Sequence, residues 1–239
     1  MYKARAYRSW TKSSELIVFE VTEKETDLAI YASKNLERQA RAAVLTYRQD
    51  LEKYIGKHPE FLTALEPINV SSDAPLIVKA MAEAAAKALV GPMAAVAGAV
   101  AEFVGRDLAE FSGEVIVENG GDIFIRSAKK RTLGVYAGDT SPFTGTLAIE
   151  VEPKEAGLGV CTSSGTVSHS LSFGKSDAVV IISEDTALAD AVATATGNIL
   201  KAPDDINRGI DFARSIDGVL GVLVMMKDRM GSWGEINLV

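Results

Sequence analysis

An aspartate and a threonine stand four residues apart in the segment DTALADAVATATGN, which begins at Asp185. On a helix such residues share a face, so the Asp190 carboxylate and the Thr194 hydroxyl can offer two hard oxygen ligands to a divalent cation. Mg²⁺ takes only one or two protein carboxylates and completes its shell with substrate phosphates and water. Alanines at 187, 189, 191, 193 and 195 leave space for a ligand's bulk close to this helix. The competing reading turns Asp190 to solvent and bonds Thr194 to a backbone carbonyl one turn earlier.

Two other stretches carry polar groups suited to a phosphorylated ligand. In VENGGDIFIR the pair Gly120-Gly121 is either a hairpin turn or a place where a flat or phosphorylated ligand approaches the backbone. In GLGVCTSSGTVSHS a strand runs into Thr162, Ser163, Ser164 and Gly165, whose hydroxyls and amides can donate to phosphate oxygens; the alternative is an ordinary polar loop. His169 follows, and its neutral imidazole can take a proton from an attacking hydroxyl or water. The other histidine, His58 in GKHPEF, reads as surface. Cys161 is the sole cysteine, which excludes an internal disulfide framework and a thiolate metal cluster. A thiol hydrolase built on Cys161 and His169 is disfavoured by the position of Cys161 at the end of an apolar strand.

These groups must be held by the elements around them. ELIVFEV and TDLAIYAS predict an antiparallel hairpin. LERQARAAVLTYRQDLEKYIG places Leu36, Ala40, Ala43, Val44, Tyr47, Leu51 and Tyr54 at helical spacing. Two alanine-rich helices follow, from about Ala74 to Leu89 and from Pro92 to about Glu110, with Pro92 tolerated in a first turn. EVIVEN, DIFIRS, TLGVYA, TLAIEV, GLGVCTS and DAVVIIS read as strands. The Asp185 segment reads as a helix with Asp185 as N-cap and Gly197-Asn198 as its stop. A shorter helix near DDINRGIDFARSI precedes the strand GVLGVLVMMKD, a turn RMGSWG and a last strand EINLV. Adjacent strand pairs with interspersed helices predict an α+β fold with a largely antiparallel sheet and packed helices.

The 239 residues, 47% of them hydrophobic, can bury a sizeable core, and no linker-like or low-complexity tract divides them, so one domain over 1–239 is expected. A net charge of −7 repels polyanions, which argues against nucleic acid and requires local relief for any phosphate ligand. ALVGPMAAVAGAVA, at 88–101, is too short to span a membrane. With no recognisable leader and no disulfide framework, no membrane association and a cytoplasmic location are expected. Exposed sheet edges and the alanine-rich helices leave room for a homodimer.

Taken in order, the three stretches resemble the ApbE family of flavin transferases, which cleave FAD with Mg²⁺ and attach the FMN half to a threonine or serine of an acceptor protein. VENGGDIFIR resembles that family's N-x-G-G-[DN]-I segment, CTSSGTVSH its T-S-G loop with a following histidine, and ALADAVATA its A-D-A-x-A-T-A helix. The likeness extends from about Gly91 to the closing GVLGVLVMMKDRMGSWGEINLV and matches the N-terminal third only loosely. It implies a T-fold-like, two-layer α+β sandwich with FAD or a related dinucleotide as substrate, Mg²⁺ as cofactor and an acceptor flavoprotein as partner. It also implies flavin-nucleotide contacts from Asn119, Gly120, Gly121, Asp122, Thr162, Ser163, Ser164 and Gly165, and metal ligation by Asp190 and Thr194. Where the family carries a Lys-Gly pair and a nearby aspartate, this chain reads GPMAAVAGAV; where it carries H-x-x-D-P-x-T-G, this chain reads HSLSFGKSD. A flavin-binding protein without turnover and an FAD pyrophosphatase are the alternatives to a transferase.

Overall fold

The computed structural model describes residues 15–138, 141–152, 154–165 and 174–239. The predicted N-terminal hairpin forms: β1 (Ile17–Glu23) pairs antiparallel with β2 (Thr26–Ala32). α1 (Glu37–Lys57) buries Ala40, Ala43, Val44, Leu51 and Tyr54, the apolar stripe of its sequence, and keeps its charges outside. A single turn, α2 (Glu60–Thr63), leads to α3 (Leu76–Ala88). Pro92 opens a 3₁₀ turn, Pro92–Ala95, that runs into α4 (Val96–Ala109). Proline at a helix start lacks only an amide that would have no intrahelical partner there.

β3 (Val115–Asn119) and β4 (Asp122–Ser127) are joined by Gly120 and Gly121, with φ of 71° and 110°. Positive φ at both central residues of a two-residue hairpin is what a glycine pair supplies, so Gly-Gly is here a turn in the first place. β5 (Arg131–Gly134), β6 (Ala148–Val151), β7 (Lys154–Ser163) and β8 (Ala178–Ser183) follow. α5 (Thr186–Ile199) is the Asp185 segment, with the Asp185 carboxylate accepting from the Leu188 amide at 2.8 Å. The predicted stop at Gly197-Asn198 is overrun by two residues. The close approach there constrains the other partner: a Cβ on Gly174 would lie 1.9 Å from the Gly197 carbonyl.

α6 (Ile206–Arg214) precedes β9 (Val219–Met226). RMGSWG is not a turn but β10 (Arg229–Gly234), paired with β9, and the reversal falls at Lys227-Asp228. The paired backbone outweighs two glycines in a six-residue stretch, and Gly231 in particular leaves space for Ile206 and Ile210 of α6. β11 (Asn237–Leu238) pairs with β6.

Among the described residues, eight strands form one sheet in the order β1-β2-β3-β4-β7-β8-β9-β10, and β11-β6-β5 form a second; all the pairings among them are antiparallel. The helices cover one face of the large sheet, with a core that joins Leu28, Ile30, Met81, Val104, Phe124, Ile181 and Val192. The small sheet covers part of the other face through Tyr31, Ile116, Leu133, Ile149, Leu158 and Val180. The alternating orientation of side chains along β2, β3 and β8 feeds both cores, which is why those strands read as nearly continuous apolar runs. Among the described residues no single helix is long and apolar enough to cross a membrane.

Candidate functional site

α4 and α5 cross at Gly98, where a Cβ would lie 2.4 Å from the Thr186 carbonyl and 2.8 Å from the Asp190 Cβ. This contact explains the small residues along α5: neighbouring backbone, on β7, α4 and the 174 loop, lies directly against the helix. Gly159 of β7, for instance, would place a Cβ 2.6 Å from the Thr186 Cα.

At the crossing, Asp190 is buried and does not face solvent. Its Oδ2 accepts the Gly98 amide at 2.8 Å, and the Ala97 amide also donates to it. These are the second and third amides of α4, so a carboxylate from one helix caps the N-terminus of the other. Burial raises the Asp190 carboxyl to about 7 even though those amides favour its charged form.

Asp122 begins β4 beside Cys161, since Ile123 pairs with Val160 in the β4–β7 register. It too is buried, and its Oδ1 has no hydrogen-bond partner. Burial, then the negative charge of Asp190, pushes the Asp122 carboxyl well above the usual range, while the Cys161 thiol and the Thr162 amide donate to its charged form. Two neighbouring buried carboxylates of like charge, one with an oxygen left over, form an electrostatically unsatisfied pair. A divalent cation would complete it.

Thr194 lies one turn beyond Asp190 on α5, half-buried. Unlike the Thr46 hydroxyl, which bonds back to the Ala42 carbonyl at 3.0 Å, it makes no such bond among the described residues. Thr162 and Ser163 end β7 half-buried; Gly121 and Gly197 approach them, Gly121 toward the Thr162 carbonyl and Gly197 toward Ser163 Oγ. Ser164 is buried, and the Gly165 amide is held by the Ser176 carbonyl at 3.0 Å. Asn119 spends its carboxamide on the Ala97 carbonyl at 3.1 Å, which ties the β3–β4 turn to the start of α4. Gly120 is exposed at the turn tip. His169 lies outside the described residues.

The fold thus brings Asp122, Thr162, Asp190 and the start of α4 together, with Ser163 farther along α5 at Gly197. Sequence reasoning missed Ala97, Gly98 and Glu102, having read their segment as an alanine-rich helix that lacks the family's lysine and aspartate. The available signal was a glycine inside an alanine run, followed four residues later by a lone acid on the same face. Cys161 is buried, and its thiol is pushed up by burial and then by the two carboxylates, the opposite of what a nucleophile requires. His58 is a surface group stacked on Tyr54 beside Glu60, as its sequence context predicts. Two cavities, about 310 Å³ between the sheets at Glu150, Leu158 and Glu235 and about 120 Å³ at Arg106, Phe124 and Arg126, lie away from the carboxylate pair.

Antiparallel strands under a helical layer give the α+β architecture that solved ApbE proteins share. The flavin transferase ApbE of Vibrio cholerae superposes with a TM-score of 0.60 at 12% identity, covering 92% of this chain and 97% of that one. The ApbE protein of Thermotoga maritima gives 0.54 at 16% identity, covering 87% and 94%. These likenesses establish the fold. Residues 8–225 match the family model described as AbpE bacteria, and the chain belongs to that family. Its relatives include a UPF0280 protein of Methanococcus aeolicus, 45% identical over 82% of this chain and 81% of the relative. Another is UPF0280 protein MJ1526 of Methanocaldococcus jannaschii, 42% identical over 89% and 88%.

Proposed function

We propose that the protein cleaves the pyrophosphate of FAD with the help of Mg²⁺ and transfers the FMN half to an acceptor protein or to water. The observation that carries this reading is the buried Asp122–Asp190 pair with its unpartnered oxygen, found in a chain whose structural neighbours are flavin transferases. Asp190, Thr194 and Asp122 would hold the ion. When bound, Mg²⁺ neutralises charge on the phosphates and on the departing AMP.

The protein's own groups do the rest. Thr162, Ser163 and Ser164 donate to the phosphates, Gly165 being spent on the Ser176 carbonyl, while Asn119, Gly120, Gly121 and Asp122 shape the turn against which the nucleotide rests. An acceptor hydroxyl or water attacks the FMN-side phosphorus; a new P–O bond forms there, the bridging P–O bond breaks and AMP leaves with its electron pair. His169 takes the proton of the attacking hydroxyl. Because the chain is net acidic, an anionic substrate binds only where such local donors and a cation offset the field.

Incubation of the full chain with FAD and Mg²⁺, followed by chromatography, should yield FMN and AMP. Asp190→Ala should lower the Mg²⁺-stimulated rate by at least a hundredfold, and an undiminished rate in that variant rules out the metal assignment. A second reading, flavin binding without turnover, draws on the engagement of Asp190 with α4, which occupies the carboxylate that the ion needs. Recovery of intact FAD after prolonged incubation with Mg²⁺ favours it.

A further inference from the structure

The cap that Asp190 places on α4 is returned. Glu102, one turn along α4 from Gly98, is buried, and its Oε2 accepts the Thr186 amide at 2.7 Å. The Ala187 amide donates to the same carboxylate, and Arg106 pairs with its Oε1. With the Leu188 amide on Asp185 and the Ala189 amide on the Asp185 carbonyl, the first four amides of α5 are all satisfied. α5 therefore has no slack at its start. Its first residue is fixed by an acid of α4, and the second and third amides of α4 are fixed by an acid of α5 four residues farther on. Gly98 makes the exchange possible by letting the two backbones touch.

We infer that Glu102 is a positioning residue, whose carboxylate on the first amides of α5 sets the register of that helix and so the place where Asp190 and Thr194 stand. The arrangement is not one that burial alone favours: burial raises the Glu102 carboxyl, and Arg106 and the two amides work against that rise. A buried acid kept for helix capping alone has a simpler substitute in a local N-cap, which α5 already possesses in Asp185. What Glu102 adds is a link between helices. The consequence for cation binding rests on the reading of Asp190 given above; the positional claim does not.

The test is amide hydrogen exchange on the full, metal-free chain, read at Ala97 and Gly98, the amides that Asp190 holds. Glu102→Ala is compared with Leu108→Ala, which lowers stability from a buried position near the other end of the same helix. Glu102→Ala should speed exchange at Ala97 and Gly98 about tenfold or more beyond Leu108→Ala at matched stability, and Glu102→Gln, which keeps an acceptor oxygen, should restore most of the protection. Should the alanine variant not fold, Glu102→Asp, which draws the carboxylate back by one carbon, gives the same acceleration. Exchange at these two amides no faster than in Leu108→Ala overturns the inference. Calorimetric titration with MgCl₂ alone is the second readout: misplacing Asp190 should weaken uptake about 10-fold or more in Glu102→Ala and leave it unchanged in Leu108→Ala. If the unaltered protein takes up no Mg²⁺, the cation reading of Asp190 fails, and the exchange result still decides the role of Glu102.

Discussion

Asp190 illustrates how burial holds a side chain in the charge state opposite to the one that the proposed cation would require. Its folded carboxyl titrates near 7 against 3.8 for the free group. The folded chain therefore keeps a proton that the unfolded chain has released between about pH 4 and pH 7. The sign follows: the contribution is fully present below about pH 4 and is lost as pH rises toward 7. Asp122, raised for the same cause, acts in the same direction. At about 1.4 kcal/mol per unit the shift amounts to at most about 4 kcal/mol, on the order of 10 °C in Tm for a chain of this size. In EDTA, the Tm of Asp190→Asn relative to the unaltered protein should rise by that order between pH 4.5 and 8. Adding MgCl₂ at pH 8 should raise the Tm of the unaltered protein and leave the variant where it is. A difference that does not change with pH would show that Asp190 is ionised in the folded state throughout.

At the scale of elements, the α4–α5 crossing depends on a missing side chain. Gly98→Ala puts a methyl into the Thr186 carbonyl and the Asp190 Cβ, which forces the helices apart at a cost of about 1–3 kcal/mol and displaces Asp190 from the Ala97 and Gly98 amides. Gly197, inside α5, is different. A Cβ there meets only Ser163 and Ser176 oxygens at 3.7 and 3.8 Å, so Gly197→Ala should stabilise by about 0.5–1 kcal/mol through helix propensity. Urea unfolding of both variants checks the contrast, and two losses of similar size would contradict it. The hairpin glycines belong to the same scale. Gly120 and Gly121 are demanded by positive φ, and whatever they lend to a ligand comes after that demand is met.

Across the whole molecule, the large sheet separates two cores that share strands. The helices on one side, α4 and α5, carry Glu102 and Asp190, and the core on the other side holds Leu133 and Ile149. Leu133→Ala, 2% exposed in β5, should cost about 2–4 kcal/mol while leaving Mg²⁺ uptake and exchange at Ala97 and Gly98 unchanged, because the loss falls on the far face of the sheet. Altered uptake in a variant still folded at the assay temperature would mean that the two faces are coupled. The net charge of −7 also belongs to this scale. It opposes an anionic dinucleotide everywhere except where donors and a cation gather, so substrate binding should strengthen as monovalent salt is raised through the low range.

The sequence by itself determined which segments become strands and helices. It did so wherever the information is local: branched and aromatic runs in β1 to β4, the 3.6-residue stripe of α1, the Gly-Gly turn and the Asp185 cap. It failed at RMGSWG and at the end of α5, where pairing with β9 and packing against Gly174 override local preference. The three polar stretches were legible as a set, and the family resemblance placed them in order. Only the tertiary structure decided what Asp190 does. Its partners, the Ala97 and Gly98 amides, lie more than ninety positions earlier in a segment without a polar side chain to mark it. A separation of 84 residues likewise hides Glu102 from the Thr186 amide of α5. Backbone donors leave no trace in a sequence, so a carboxylate that binds them is visible only once two helices have been brought into contact.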